Sequence, residues 1–450
     1  MRFHVVTFGC QMNVLDSDWL SRALAARGWR PVAEAEAEVF LVNTCSVRDK
    51  PEQKVYSVLG RIAGLLADKP GGFAAVGGCV AQQVGQGLLE RFPLVRLVWG
   101  TDQTHRVPGL LEGLVAEPGR KLAVLDATPV FEERDLALPD NFSGTCGPRQ
   151  AAVNIMQGCD NYCAYCIVPF VRGRQKSRHP DAVLSECRAL VAAGVREITL
   201  LGQNVNSFGL DPGGAGVGFA ELLHRVAGIP GLDRLRFTTS HPKDIAPEVV
   251  RAFGELPNLC PHLHLPLQSG SDRILRRMGR KYDRARYLDI VAALRAARPD
   301  IALGTDLIVG FPGETDEDFE ATLEMMERVG FETSFSFCYS DRPGVAAERM
   351  TPKVTPETAA GRLARLQNLQ NDLTKRVLQW QVGREAEVLV TGPSRRQDAA
   401  GPSWQGRDPG NRIVNFPNES DEDLAGRLVR VRVTEAKNHS LMGRRTGATW

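Results

Sequence analysis

"QGCDNYCAYCIVP", residues Gln157–Pro169, holds three cysteines, Cys159, Cys163 and Cys166, separated by three and then two residues. A closed structural metal site takes four ligands, so a trio in one short loop raises the question of the fourth. Thiolates are the ligands of iron–sulfur clusters, and a 4Fe-4S cube presents four irons. Three thiolates leave one iron open, and an open coordination position separates a reactive metal centre from a structural one. A zinc ribbon would need a second cysteine pair close by, and none follows; incidental clustering is the other alternative. The loop directly follows "AAVNIMQG" (Ala151–Gly158), an apolar run that reads as a strand.

Downstream, strand candidates recur between amphipathic helices: "EITLLGQNV", "RLRFTTSHP", "HLHLPLQSG", "IALGTDLIVGF" and "FETSFSFCYS". The helical stretches are Pro180–Ala193, Gly218–Ala227, Asp272–Ala297 and Thr315–Val329, the last opened by Thr315 with Asp318 three residues on, a capping pattern. Six parallel strands with outer helices predict a partial (β/α)6 barrel with its site at the carboxyl ends of the strands. Upstream, "RFHVVTFGC", "EVFLVNTCS" and "FAAVGGCV" each end at a cysteine and alternate with helices at Val14–Arg27 and Glu52–Leu66. That alternation predicts a parallel-sheet α/β domain with Cys10, Cys45 and Cys79 at one carboxyl edge, where open α/β sheets place ligands. Buried structural thiols are the competing reading of these three. Past a long helix, Pro356–Gln381, alternation in twos ("EAEVLVTG", "NRIVNFP", "RLVRVRVTEAKNHSLMGRRTG") predicts a small antiparallel β-barrel.

Composition bounds rather than selects. The 450 residues suit two to four domains, and 55 basic against 53 acidic side chains leave a net charge of +2, which names no partner. The amino terminus lacks an apolar h-region, and the longest uncharged run, Gly71–Leu89, is broken by Gln and Gly, so neither secretion nor a membrane span is expected. A cytoplasmic, reducing location follows, in which ten cysteines are metal or catalytic thiols before they are disulfides. Basic residues cluster locally. Arg172, Arg174, Lys176 and Arg178 follow the cysteine loop, and "LRRMGRKYDRAR" marks a second cluster; each meets phosphates or forms a solvated, salt-bridged face. In the terminal barrel, Arg430, Arg432, Lys437, Arg444 and Arg445 are candidate backbone contacts, with Asn415 and Phe416 as stacking candidates, while acids bunch at Glu419–Asp423.

Other features carry less. "GGAGVG" (Gly213–Gly218) follows "GLDP" rather than a strand and reads as a flexible loop. His241, His262 and His264 line the cavity or sit satisfied at its rim. Cys146, Cys187, Cys260 and Cys338 lack ligand spacing and read as ordinary thiols, and Asp306 and Glu314 as turn or capping residues around "GFPG".

The CxxxCxxC loop after a first barrel strand resembles the radical S-adenosylmethionine enzymes. In that family the open iron binds the amino and carboxylate groups of S-adenosylmethionine, and one electron cleaves it to a 5′-deoxyadenosyl radical. The resemblance implies that Tyr165 lies beside the adenine. Further cofactor contacts are expected at strand ends: Gln203, Asn204, Thr239, Ser240, Gln268, Gly310 and Phe311.

The resemblance extends over almost the whole chain. "TFGCQMNVLDSD", "VNTCSVRDKPEQKVYSVLGR", "GGCVAQ", "QGCDNYCAYCIVPFVRGRQKSR", "LGQNVNSFG", "LHLPLQSGSDRILRRMGRKY" and "DLIVGFPGETDEDFEATL" are similar to the methylthiotransferases. This implies an amino-terminal methylthiotransferase domain at 1–118, a linker at 119–146, a radical core at 147–377 and an RNA-gripping TRAM barrel at 380–448. It also implies that Cys10, Cys45 and Cys79 hold a second 4Fe-4S cluster whose open iron presents sulfur. The implied cofactors are two 4Fe-4S clusters and two S-adenosylmethionine molecules per turnover. The implied substrate is a tRNA anticodon stem-loop whose adenine, 3′ to the anticodon, carries an N6-isopentenyl group and is methylthiolated at C2. An electron donor such as a flavodoxin or ferredoxin, no membrane and a monomeric state complete the expectation. Two alternatives stay open: methylthiolation of threonylcarbamoyl-adenosine in tRNA or of an aspartate in a ribosomal protein, and a non-enzymatic iron–sulfur RNA-binding scaffold.

Overall fold

In the computed structural model, which describes residues 1–46, 51–134, 138, 142, 144–394, 402–417 and 422–447, the three cysteine-ended runs upstream are strands of one parallel sheet. Its strands are β1 (Arg2–Thr7), β2 (Arg30–Pro31), β3 (Val39–Thr44), β4 (Phe73–Gly78), β5 (Val95–Trp99) and β6 (Leu122–Val124), in the order β2-β1-β3-β4-β5-β6. Every residue of β3 and β4 is buried, because helices cover both faces. Leu20 and Leu24 of helix Gln11–Ala25 and Leu111 and Leu114 of helix Val107–Ala116 seal one face; Val55, Leu59 and Ile62 of helix Pro51–Leu66 seal the other. β6 pairs with β5, so the first sheet runs past the expected boundary at residue 118 into the expected linker. Part of that linker, Val47–Lys50 and the acids Glu419–Asp421 lie outside the described residues.

The six expected barrel strands are β7 (Gln150–Asn154), β10 (Glu197–Leu201), β11 (Arg234–Phe237), β12 (His262–His264), β13 (Ala302–Val309) and β14 (Thr333–Cys338). They form two parallel runs, β7-β10-β11 and β12-β13-β14, joined by the bridge Leu235–Leu259. Between β7 and β10, the short strands β8 (Met156–Gln157) and β9 (Lys176–Ser177) pair antiparallel and close the cysteine loop at its base. Thr315 caps helix Asp316–Val329 in a reciprocal box with Asp318, as expected.

One helix departs from expectation. Asp272–Ala297 is two helices, Asp272–Arg277 and Arg284–Ala297, and the chain between them takes positive φ at Gly279 (72°) and Lys281 (42°). The left-handed turn ends the first helix as a glycine does at a carboxyl cap, and it throws Arg280 inward rather than onto a basic surface.

The third unit is a closed five-stranded barrel, β15 (Glu385–Pro393), β16 (Ser403–Arg407), β17 (Ile413–Pro417), β18 (Leu428–Ala436) and β19 (Leu441–Arg445). Its connecting loop covers the amino-terminal end of the larger barrel: Arg234 of β11 donates to the Arg407 carbonyl (2.9 Å), and Arg236 to those of Asp408 and Pro409 (2.9 Å each). With that end closed, the open end is the one that carries the cysteines. No helix among the described residues is long and apolar enough to cross a membrane.

Candidate functional site

The cysteine loop is shaped by backbone contacts that side chains would obstruct. Gly158 has φ of 81°, and a Cβ there would lie 2.0 Å from the Arg174 carbonyl oxygen. Its N–H donates to Gln203 Oε1 (2.6 Å), while the other end of that amide meets Met12 Sδ. Gln203, expected as a cofactor contact, therefore has both ends of its side chain engaged in holding the loop. Ala164 N–H donates to the Met278 carbonyl (2.8 Å), tying the loop to the broken helix. Arg280 is buried there: Nη1 lies 3.4 Å from Cys163 Sγ, Nε donates to Tyr282 Oη (3.1 Å) and Nη2 to the Pro266 carbonyl (3.2 Å). Burial pushes the Cys166 thiol up to about 12, with the neighbouring Cys163 adding to the rise, and burial raises Cys159 as well.

Around the loop, Tyr165 meets Phe311 edge-on at 6.4 Å, and Phe311 meets Tyr339 at 5.2 Å, an aromatic wall beside Cys166. Among the polar atoms buried without a hydrogen-bond partner past the ends of β10 and β11 are Asn204 Oδ1, both amide atoms of Asn206, Ser240 Oγ and His241 Nε2. Each such atom costs about 1–3 kcal/mol. Their loops are neighbours, since Val205 N–H donates to the Thr239 carbonyl (3.0 Å). Thr239 and Gln268 hold positive φ (72° and 69°), conformations costly for residues with a Cβ and often found at ligand sites. The chemistry fits an amino-acid and ribose ligand at an iron–sulfur loop. His241 extends the expected set, because burial first, then the Arg280 charge, holds its ring neutral with a pKa of about 2.

The second trio is assembled from separate strand ends. Cys10 follows β1 at the start of helix Gln11–Ala25, Cys45 follows β3, and Cys79 follows β4 as the first residue of helix Cys79–Val84. Gly9, at φ of 103°, packs so closely that a Cβ would lie 2.5 Å from Cys45 Sγ. Asn13 ties the edge together: Nδ2 donates to the Phe8 (2.9 Å) and Thr44 (2.8 Å) carbonyls, and Oδ1 accepts from Arg172 Nη2 (2.7 Å). The hydrogen bond from Cys45 and the Arg172 charge bring the Cys10 thiol down to about 5 against the opposing effect of burial. Arg172 also hydrogen-bonds Cys79. No three His, Cys, Asp or Glu side chains among the described residues gather as for a single metal ion; a four-iron cube instead takes its thiolates around its outside.

The two trios meet across a domain interface. Arg172 ends the short helix Val168–Val171 that follows Cys166, and Cys79 packs against Ile167 and Val171. Thr101 Oγ1 donates to the Val171 carbonyl (2.8 Å), and Asp102 accepts from Gln157 (2.5 Å) and pairs with Lys176 (2.6 Å).

Several expected RNA contacts are corrected by burial. Arg172 is 4% exposed and faces thiols, Lys176 is buried on Asp102, and Arg178 is buried between Glu133 (2.6 Å) and Glu186 (2.5 Å). Arg174 alone of that group reaches solvent, paired with Asp160 at 3.0 Å. In "LRRMGRKYDRAR", Arg280 is buried and Arg277, half-buried, donates to the Pro312 and Thr351 carbonyls, whereas Arg276, Lys281 and Arg286 lie exposed. Phe416, a stacking candidate, is fully buried in the small barrel, and Asn415 accepts from Ser394 Oγ (3.2 Å). Arg430, Arg432 and Arg444 lie exposed on β18 and β19, Arg432 pairing with Glu385 (3.2 Å), while Arg445 is half-buried on Glu422 (3.3 Å). Two exposed aromatics, Tyr162 and Phe170, lie edge to face at 6.4 Å beside the cysteines. Sequence reasoning missed them, because Phe170 stands in the apolar run Ile167–Val171 and reads as core. Of the rim acids, Glu314 accepts from Gly310 N–H (2.7 Å) as a turn brace, whereas Asp306 faces His264 Nε2 at 3.1 Å.

Comparison with known proteins agrees with this division. Residues 2–100 match Uncharacterized protein family UPF0004, 153–326 the Radical SAM superfamily and 379–445 the TRAM domain. A tRNA-2-methylthio-N(6)-dimethylallyladenosine synthase from Nitratidesulfovibrio vulgaris is 60% identical over 448 residues, covering 100% of this chain and 99% of that one. One from Geobacter sulfurreducens is 48% identical over 441 residues, covering 98% and 96%. This chain belongs to the tRNA-2-methylthio-N(6)-dimethylallyladenosine synthase family. Within the family's shared length, each cysteine trio falls inside its own matched region. The radical S-adenosylmethionine methyltransferase TsrM from Kitasatospora setae, solved with cobalamin and a [4Fe-4S] cluster, is similar in fold at TM-score 0.56 and 16% identity, covering 77% of this chain and 76% of that one.

Proposed function

We propose that this chain makes 2-methylthio-N6-dimethylallyladenosine in tRNA by radical S-adenosylmethionine chemistry. The observation that carries the reading is the meeting of two three-thiol sites at one interface, with Arg172 from the radical-core loop buried against the amino-terminal trio. When bound, a 4Fe-4S cluster at Cys159, Cys163 and Cys166 supplies the electron that cleaves S-adenosylmethionine, and a second at Cys10, Cys45 and Cys79 supplies an open iron for sulfur. One S-adenosylmethionine serves methylation and one the radical step.

The chain's own residues do the remaining work. Asn204, Ser240 and His241 present unpartnered polar atoms to the cofactor, and Tyr165 flanks its adenine. Arg280 offsets charge at Cys163, and Arg172 at Cys10 and Cys79. The target adenine is splayed from its loop to reach the site, where Tyr162, Phe170 and Arg174 face the neighbouring nucleotides. Arg430, Arg432, Arg444 and Arg445 of the small barrel track the backbone of the anticodon stem-loop. The chain works as a cytoplasmic monomer supplied by an electron donor such as a flavodoxin or ferredoxin.

Mass spectrometry of tRNA nucleosides from a strain lacking the gene tests the assignment. The methylthio nucleoside should vanish while dimethylallyladenosine accumulates; an unchanged methylthio pool in that strain overturns it.

A further inference from the structure

Strand alternation on β14 is inverted. On an ordinary half-buried strand the apolar side chains face the core and the polar ones face water. Here Ser334, Ser336 and Cys338 are half-buried, while Phe335 and Phe337 are 61% and 50% exposed on the other face. That face is the lumen of the barrel, because Leu263, Leu303, Leu307 and Val309 of β12 and β13 project the opposite way into the helix-packed core. Phe335 stands beside Asp306 and Phe337 beside Ile308 in the strand register, and the His264 ring lies 6.0 Å from that of Phe335.

Two large aromatic rings left open on the concave face of a partial barrel mark a ligand-binding surface. The surface is continuous with the chemistry. Ile308 packs in the same group as Tyr165 and Phe311, so an apolar wall descends from the aromatic beside Cys166 through Ile308 to Phe337 and Phe335. A cavity of about 520 Å³ reaches Phe335 and Phe337 at the edge of β14, between the helix Pro356–Trp380 and the small barrel's Arg412 and Ile413.

We infer that Phe335 and Phe337 form the subsite that receives the dimethylallyl group on N6 of the target adenine, and that they set the preference for the prenylated base. This rests on the proposed function. A five-carbon apolar substituent covers the rings and removes their surface from water. A substituent bearing a carboxylate, as threonylcarbamoyl does, would lose hydration against two phenyl rings and face the Asp306 carboxylate. An unmodified adenine would leave the rings uncovered.

The test compares kcat/KM on three anticodon stem-loop RNAs that differ only at the target adenine: dimethylallyl, unmodified and threonylcarbamoyl. The wild-type protein should prefer the dimethylallyl RNA to both others. Phe335→Ser should lower the preference for dimethylallyl over unmodified RNA by about 10- to 100-fold, since apolar pockets discriminate on that scale. Phe335→Leu, which keeps the site apolar, should retain most of it, and Phe337→Ser should act in the same direction as Phe335→Ser. A wild-type protein that turns over dimethylallyl RNA without preference, or a Phe335→Ser preference equal to wild type, overturns the inference and leaves the proposed function standing. Equal preference loss in the Ser and Leu variants also overturns it, because packing rather than apolar contact would be at work. A wild-type protein that methylthiolates none of the three RNAs defeats the proposed function itself.

Discussion

Cys159, Cys163 and Cys166 sit on one loop whose base is closed by β8 and β9, whereas Cys10, Cys45 and Cys79 are brought together only because β1, β3 and β4 are neighbours in a parallel sheet. The first trio is local, and the second depends on strand order. Their electrostatics diverge too. In the loop trio burial pushes Cys166 up to about 12 and raises Cys159, while Cys10 is held down to about 5. Each trio has one buried arginine, but the source differs. Arg280 reaches Cys163 from within the same barrel; Arg172 crosses from the barrel into the first domain. The loop trio is thus self-contained within its barrel, and the amino-terminal trio is completed by the neighbouring domain.

Removing each trio breaks the comparison most severely. Replacing Cys159, Cys163 and Cys166 with Ala should reduce 5′-deoxyadenosine formation to background, whereas replacing Cys10, Cys45 and Cys79 should keep it and stop methylthio product. Anaerobic reconstitution should give about eight irons in the intact chain and about four in either variant. Equal loss of 5′-deoxyadenosine in both would show that the second trio is structural.

Next in size is Arg172→Met. Leaving Asn13 Oδ1 without the guanidinium in a buried interface, with Asp16 still paired to Arg134, should cost about 1–3 kcal/mol of stability by denaturant unfolding. Iron should drop toward the barrel's share; full retention of both clusters would separate Arg172 from the amino-terminal site. Arg280→Gln is gentler. Losing a charged donor at Cys163 should move the barrel cluster's midpoint potential more negative, by on the order of 60 mV, a tenfold change in a one-electron equilibrium. An unshifted potential in an electron paramagnetic resonance titration would leave Arg280 with packing alone.

The smallest effect concerns the iron-free protein. Cys10 is a thiolate at neutral pH, so iodoacetamide should label it ahead of Cys166, with Cys10 labelling falling as pH drops through about 5. Because its folded pKa is depressed, the stability it contributes is present above the range of an unfolded thiol and is lost as pH falls through that same value. Peptide mass spectrometry that finds Cys166 labelled first at neutral pH would reverse the electrostatic contrast.

Much of this was legible from residue patterns. The six barrel strands, the three cysteine-ended strands and the Thr315 cap each follow from local periodicity or turn chemistry. The roles of the basic residues were not. Arg172, Arg174, Lys176 and Arg178 look alike in the chain, yet one meets thiols, two are buried on carboxylates and one meets solvent. The stretch Asp272–Ala297 read as one helix, and nothing near Gly279 indicated that a break there aims Arg280 at Cys163.

The sequence by itself determined the units of the fold and the number of thiols at each site, because hydrophobic period, turn residues and ligand spacing act over a few residues. Tertiary structure alone decided which arginines lie beside thiols, which polar atoms were left without a partner, and that Phe335 and Phe337 face a cavity. Those outcomes depend on which surfaces pack together, and burial of a charge or exposure of a ring is a property of the packed whole rather than of any short stretch.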